Sequence, residues 1–150
     1  MAVFWRPARP AKKPVPTAQT KPRRILVVDD EPLIRWSLRE CLSAQGYEVV
    51  DADTAHEALE RFAEGVDLVL LDNQLPDQSG LEVAGTIAGS SRACPVILMT
   101  AHGDAELRRK AGERHVLCVV DKPFDVPSLI ELLGRALPAT SVRPPRGRPA

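Results

Sequence analysis

The stretch that decides the fold is DLVLLDNQLPDQSG, residues 67–80, in which an apolar run ends at an aspartate and a polar loop follows. The run from Leu68 to Leu71 is typical of a buried β-strand. If that strand belongs to a parallel sheet, Asp72 lies just beyond its carboxyl end, where open α/β sheets bind their ligands. Taken alone, an aspartate in this place is more often a turn residue or a helix cap. The rest of the chain has to decide between the two.

The remaining chain repeats the pattern of an apolar strand followed by a helix. The other strands are predicted at residues 25–28, 48–52, 96–99 and 116–120, and the helices at residues 32–46, 54–65, 80–88, 105–111 and 125–137. The strands are apolar throughout, which is typical of strands covered on both faces. We therefore predict an α/β protein with a doubly wound, five-stranded parallel sheet and helices on both faces.

Local signals support several of these elements. Thr54 and Glu57 form a capping-box pattern, and Gly46 is placed to end the first helix in a left-handed conformation. Trp36 lies off the apolar stripe of that helix, and we expect it along the helix–sheet seam rather than exposed for a partner. The helix at 105–111 has a thin apolar face. The three cysteines are odd in number and lie in apolar surroundings, which indicates reduced core thiols rather than metal ligands or disulfides; they are Cys41, Cys94 and Cys118.

Charge divides the chain of 150 residues into one acidic domain and two basic ends. The formal net charge is zero, but residues 1–24 hold seven Lys or Arg, residues 138–150 hold three, and all 20 acids lie between them. Both ends are rich in proline, so we predict disordered tails at residues 1–23 and 138–150 around a domain at residues 24–137. No apolar run is long enough for a signal or a membrane span. We expect a soluble, cytoplasmic protein without membrane insertion.

In a parallel sheet the carboxyl ends of the strands lie at one edge, so the residues that follow them should converge. Those residues are Asp29, Asp30, Asp72, Thr100 and Lys122. Three neighbouring carboxylates stay ionised only if a cation neutralises them, and hard oxygen ligands select Mg²⁺. Lys122 can meet a phosphoryl oxygen and Thr100 can donate a hydrogen bond to another. Asp72 can then act as a nucleophile that forms an aspartyl-phosphate.

Four motifs resemble the receiver domain of two-component response regulators. They are DDEP at 29–32, LLDNQLPDQSGLE at 70–82, MTAHGD at 99–104 and DKPF at 121–124, and PLIRWSLRECLSAQGYEV at 32–49 is similar to receivers of the nitrogen-regulator type. The resemblance covers residues 24–137 and implies a flavodoxin-like fold. It implies that Asp72 is the phosphoacceptor and that Mg²⁺ is bound by Asp29, Asp30, Asp72 and the backbone carbonyl of Gln74. It also implies that Thr100 and Lys122 contact the phosphoryl group and that the Lys122–Pro123 peptide is cis.

Gln74 and His102 occupy positions that receivers vary to control the lifetime of the phosphoryl group. His102 is equally well interpreted as a solvated loop residue. The chain departs from the family at Arg114–His115, where receivers commonly have Ala-Gly, and at Val119, where they commonly have an aromatic residue. A signal from Thr100 is therefore expected to pass through the helix at 105–111, the fifth strand or the last helix.

These features predict a stand-alone receiver that is phosphorylated by a sensor histidine kinase or a histidine phosphotransfer protein and regulates a downstream protein by binding. We expect it to catalyse only its own phosphoryl transfer and dephosphorylation. One alternative is a phosphatase-like enzyme with an aspartyl-phosphate intermediate, against which Gln74 stands where a second acid is needed. Another is a receiver that regulates nucleic-acid binding by its basic tails, with Phe4-Trp5-Arg6 as a docking motif; a solvated linker is the simpler interpretation of those tails.

Overall fold

A computed structural model describes residues 21–137, in which five strands and five helices alternate. The strands are β1 (Arg24–Val28), β2 (Glu48–Ala52), β3 (Leu68–Asp72), β4 (Val96–Thr100) and β5 (Cys118–Asp121). The helices are α1 (Pro32–Ala44), α2 (Ala55–Ala63), α3 (Gly80–Ala88), α4 (Ala105–Glu113) and α5 (Val126–Ala136). The predicted C-terminal tail and nearly all of the predicted N-terminal tail lie outside the described residues.

The strands form one parallel sheet in the order β2-β1-β3-β4-β5. The three central strands bury nearly every residue, because each is covered by helices on both sides. The register pairs Asp72 with Met99 and Thr100 with Asp121, so neighbouring strands end close to one level. The predicted fold class is confirmed, and the sheet brings four strand ends to one edge.

Two apolar clusters, one on each side of the sheet, hold the helices in place. One face packs against α2, α3 and α4 and includes Leu26, Phe62 and Ile87. The opposite face packs against α1 and α5 and includes Leu38 and Leu133. Burial of these side chains contributes about 1.5–3 kcal/mol each, so the sheet edge that carries the polar residues rests on a rigid support.

The local signals that predicted helix ends are present in the structure. The Thr54 side chain accepts a hydrogen bond from the Glu57 backbone N–H at 3.0 Å. The Glu57 carboxylate accepts a hydrogen bond from the N–H of Asp53 at 3.2 Å. In a standard capping box it would accept from the N–H of the cap residue itself, Thr54, so this second hydrogen bond is displaced by one residue. Gly46 follows α1 with φ 96°, the left-handed conformation that favours glycine.

Several local predictions were wrong. Trp36 is 61% exposed, because α1 buries the stripe that contains Leu38 and Leu42, and Trp36 projects from another side of the helix. The cysteines are free, as predicted, but each is only partly buried, and of the three Cys94 and Cys118 pack against the apolar clusters. Strand β5 begins at Cys118 rather than at residue 116, and α4 continues to Glu113.

Among residues 21–137, no helix has the length and apolar character that a membrane crossing requires.

Candidate functional site

Each of the polar residues predicted to converge lies at or just after the end of a strand. Asp29 follows β1, Asp72 and Thr100 are the last residues of β3 and β4, and Lys122 follows β5. Asp29, Asp72 and Thr100 are 0%, 5% and 4% exposed, and they are the buried polar residues of the described chain. Buried polar groups at a sheet edge need partners, and here these are the Lys122 ammonium and the backbone N–H groups two residues after each side chain.

Three carboxylates form the acidic part of the site. Asp29, Asp30 and Asp72 each offer an oxygen, and these oxygens lie within 4.8 Å of one another. Asp30 is exposed, which leaves the cluster open to solvent on one side. Carboxylate oxygens in this number, with room for water, fit the ligand preference of Mg²⁺. The backbone N–H of Gln74 donates to Asp72 Oδ1 at 3.4 Å, and its carbonyl remains a predicted ligand.

Lys122 brings the positive charge to this cluster. Its Nζ donates to Asp29 Oδ2 at 2.9 Å and lies 3.5 Å from Asp72 Oδ1 and 3.7 Å from Glu31 Oε1. Burial acts to lower the pKa of Lys122, but the hydrogen bond to Asp29 and the charges of Asp29, Asp72 and Glu31 outweigh it, so the pKa is raised. Lys122 therefore stays protonated and neutralises part of the carboxylate charge.

The environment of Asp72 disfavours its ionised form. Burial, and then the negative charge of Asp29, raise the pKa of Asp72 from 3.8 to about 6, although Lys122 and the Gln74 N–H oppose them. A buried carboxylate lacks the water that stabilises the charge of an exposed one. It therefore gains more from an added cation. Strongly perturbed carboxyl groups in a cluster are typical of functional sites.

Thr100 ends β4, and His102 lies in the loop between β4 and α4. The Thr100 hydroxyl oxygen accepts a hydrogen bond from the His102 backbone N–H at 3.1 Å, which leaves the hydroxyl hydrogen available for donation. The Thr100 carbonyl accepts from the Lys122 N–H at 2.7 Å. The side chain of His102 is exposed. Thr100 and Lys122 are thus tied together through the backbone of adjacent strands.

The loop after Asp72 is held by contacts that only certain residues allow. The Gly80 N–H donates to the Asn73 carbonyl at 2.8 Å, and a Cβ at Gly80 would collide with the Asp72 carbonyl. The Asp77 carboxylate accepts from the backbone N–H groups of Ala55 and His56 at 2.8 and 2.9 Å, which lowers the pKa of Asp77. The loop is therefore fixed both to the start of α3 and to the start of α2.

The Lys122–Pro123 peptide is cis, as predicted.

Some residues near the site were not identified from the sequence. The Arg35 guanidinium donates to the Asp29 carbonyl at 2.7 Å and so holds the acidic loop against α1. Glu31 faces Lys122, and its N–H donates to Asp29 Oδ1 at 3.0 Å. Because α1 begins directly after the acidic loop, its first turn has to lie beside that loop. A basic residue in the first turn of α1 is therefore the sequence feature from which the role of Arg35 could have been predicted.

Comparison with known proteins identifies the family. Residues 25–134 match the family model of the response regulator receiver domain. The chain belongs to this family of two-component signalling modules, as the fold and the acidic edge of the sheet indicate.

A solved relative and two relatives of known role place the chain within the family. The response regulator protein TrrA from Thermotoga maritima, crystallised in complex with Mg²⁺-BeF, is 41% identical, with a TM-score of 0.69 over 77% of this chain and 99% of that one. The transcriptional regulatory protein PdtaR of Mycobacterium tuberculosis is 37% identical over 77% of this chain and 57% of that protein. The sporulation initiation phosphotransferase F of Bacillus subtilis is 33% identical over 79% and 96%. The chain thus spans little more than half of PdtaR and nearly all of the Bacillus protein.

Proposed function

We propose that this protein accepts a phosphoryl group on Asp72 and signals through the conformational change that follows. The observation that carries the proposal is the position of the Asp72 carboxylate, which is nearly buried beside two other carboxylates and 3.5 Å from the Lys122 ammonium. Receiver domains interact with histidine kinases or phosphotransfer proteins. We infer that the donor is a phosphohistidine on such a protein.

The residues of the site divide the chemical work of the transfer. An ionised oxygen of Asp72 attacks the phosphorus atom, the bond from phosphorus to the donor's imidazole nitrogen breaks, and that nitrogen keeps the electron pair. Lys122 neutralises charge on one phosphoryl oxygen, and the Thr100 hydroxyl donates a hydrogen bond to another. The product is an aspartyl-phosphate on Asp72.

Mg²⁺ is the proposed cofactor. Receiver domains bind Mg²⁺ at their acidic pocket, and the carboxylates of Asp29, Asp30 and Asp72 would hold it here, together with the backbone carbonyl of Gln74. When bound, the ion would neutralise the carboxylates and stabilise charge on the transferring group. Asp29 also orients Lys122 through its 2.9 Å hydrogen bond.

Phosphorylation with a small donor tests the proposal. The full chain is incubated with Mg²⁺ and acetyl phosphate, and intact-protein mass spectrometry followed by peptide mapping locates the label. We expect one phosphoryl group, on Asp72, and none on an Asp72→Asn variant. Continued labelling of that variant would show that another residue is the acceptor.

We propose that output occurs through binding of a downstream protein, and that the chain has no activity on external phosphoesters. A column carrying the full chain, labelled with beryllofluoride and Mg²⁺ or left unlabelled, separates partners of the two states. Steady multiple turnover of an external phosphoester would instead favour the phosphatase-like alternative. The nucleic-acid alternative concerns the basic tails, nearly all of which lie outside the described residues.

A further inference from the structure

The guanidinium of Arg108 joins three segments on the side of the sheet that α4 covers. Its Nη2 donates to Asp121 Oδ2 at 2.7 Å, its Nε donates to the Gly103 carbonyl at 3.2 Å, and its Nη1 donates to the Val119 carbonyl at 3.4 Å. One side chain of α4 therefore holds both the loop after β4 and the end of β5.

Both of these segments lead directly to residues of the phosphorylation site. Gly103 lies three residues after Thr100, and Asp121 immediately precedes Lys122. Thr100 and Asp121 are paired in the sheet, and the Thr100 carbonyl accepts from the Lys122 N–H. Any displacement of Thr100 relative to β5 therefore changes the distances that Arg108 spans.

The side chains of Thr100, Arg108 and Asp121 all approach Gly103. A Cβ at Gly103 would collide with the Asp121 carboxylate, and it would lie 2.9 Å from Arg108 Nη2 and 3.2 Å from Thr100 Cγ2. Because glycine has no side chain, the threonine and the ion pair can both lie this close to the loop. A movement of Thr100 can therefore reach the ion pair through Gly103.

The strength of the pair suits a switch better than a structural support. Arg108 and Asp121 side chains are 44% and 57% exposed, and exposed ion pairs contribute little to the free energy of unfolding. A bias of that size still shifts a two-state equilibrium several-fold without fixing it in one state.

We propose that the Arg108–Asp121 pair is a latch that holds α4 and the loop after Thr100 against β5 in the unphosphorylated protein. When the Thr100 hydroxyl turns to the phosphoryl group on Asp72, the loop shifts and the latch is weakened, which frees α4 for a partner. Val119 stands where receivers commonly have an aromatic residue, and in this chain the latch takes the role of that residue in the switch. The inference rests on the proposed phosphorylation of Asp72.

A kinetic comparison of latch variants tests the inference. The initial rate of Asp72 labelling by acetyl phosphate and Mg²⁺ is measured for the full-length wild type, Arg108→Gln, Asp121→Asn and the double variant. Because the latch opposes the shift of Thr100, each single variant should be labelled roughly two- to fivefold faster. The double variant should be no faster than Arg108→Gln, since that variant already removes the contact that Asp121→Asn removes.

The pair of Arg109 and Glu113, on the same helix and with the same 2.7 Å separation, supplies the matched control. Arg109→Gln should leave the labelling rate unchanged. Hydrogen exchange of the α4 amides should rise on phosphorylation of the wild type and already be raised in unphosphorylated Arg108→Gln.

The outcomes distinguish the latch from the proposed phosphorylation of Asp72. Three outcomes would overturn the latch alone, provided that the wild type is labelled on Asp72. They are equal rates for Arg108→Gln and Arg109→Gln, additive effects in the double variant, and slower labelling of the latch variants. Failure of the wild type to be labelled on Asp72 would overturn both the latch and the proposed function.

Discussion

At the scale of single residues, Asp72 shows a conflict between stability and reactivity. Its pKa of about 6, against 3.8 for an unperturbed group, means that the folded protein disfavours the ionised carboxylate. Since the pKa is raised on folding, the cost to stability is largest above the folded pKa and disappears as the pH falls towards the unfolded value. The ionised form is nevertheless the one that can attack phosphorus.

Replacement of this carboxylate should stabilise the protein. The pKa shift of Asp72 corresponds to about 3 kcal/mol at most, and Lys122 loses one of its partners in Asp72→Asn. We expect the variant to have a free energy of unfolding about 1–2 kcal/mol higher than the wild type near neutral pH in the presence of a chelator. Urea unfolding measures it, and the difference should shrink as the pH is lowered from about 7 to about 4. A difference that does not depend on pH would contradict this origin.

His115 adopts a backbone conformation that glycine favours. Its φ is 61°, in the left-handed region. This conformation costs other residues about 1–2 kcal/mol, whereas glycine loses about 0.5–1 kcal/mol through chain entropy. His115→Gly should therefore raise the free energy of unfolding by about 0.5–1 kcal/mol. His115→Ala is the control in urea unfolding, and an equal gain with alanine would show that φ is not the cause.

At the scale of elements, the loop after β3 and the start of α2 are tied together by Asp77. Its carboxylate takes the N–H groups of Ala55 and His56, while Thr54 takes that of Glu57. The first turn of α2 thus depends on two different segments of the chain. Because hydrogen bonds from Ala55 and His56 lower the pKa of Asp77, this anchor is present above the ordinary pKa of an aspartate and is lost as the pH falls through the lowered value.

Removal of the anchor should loosen one end of α2. In Asp77→Ala, the amides of Ala55 and His56 should exchange faster with solvent, whereas that of Glu57 should change least because Thr54 still holds it. Hydrogen exchange followed by NMR measures the three amides separately. Asp53→Ala is the control, since Asp53 precedes the same helix but its carboxylate accepts no hydrogen bond among the described residues. Equal acceleration in both variants would contradict the role of Asp77.

The elements differ in how far the sequence predicts them. Thr54 and Gly46 could be recognised because capping and helix ends depend on residues a few positions away. Asp77 could not, because its partners lie 21 and 22 residues earlier. Trp36 was misplaced because a large apolar side chain is most often buried, and the helical pattern alone does not show which side faces solvent. The start of β5 is predicted two residues too early because Val116 and Leu117 continue the apolar run, although both lie before the strand.

At the scale of the whole molecule, the site could be predicted because a parallel sheet has one carboxyl-terminal edge. The five predicted residues needed only the order of strands and helices, and the structure brings Asp29, Asp30, Asp72 and Lys122 into one cluster. What the sequence did not provide was the set of contacts between them. The preference of Lys122 for Asp29 over Asp72 follows from side-chain geometry that only the folded chain defines.

Mg²⁺ should stabilise the folded chain, since its proposed ligands come together only on folding. At a concentration of Mg²⁺ about one hundred times the dissociation constant, the free energy of unfolding should rise by about 2.7 kcal/mol, and a chelator should reverse the rise. Chemical unfolding with and without Mg²⁺ measures the effect. Asp30→Asn should remove most of it, whereas Asp53→Asn, outside the cluster, should not. An equal rise in both variants would place the ion elsewhere.

The hydrogen bond between Lys122 and Asp29 joins residues that are 93 positions apart. During synthesis, the three carboxylates leave the ribosome well before the lysine does, and pairing of the intervening strands lowers the entropy cost of closing so long a segment. A nascent or partly folded chain therefore carries the acidic residues without the group that completes their arrangement. On the proposed function, the phosphorylation site is complete only once folding has brought Lys122 to Asp29.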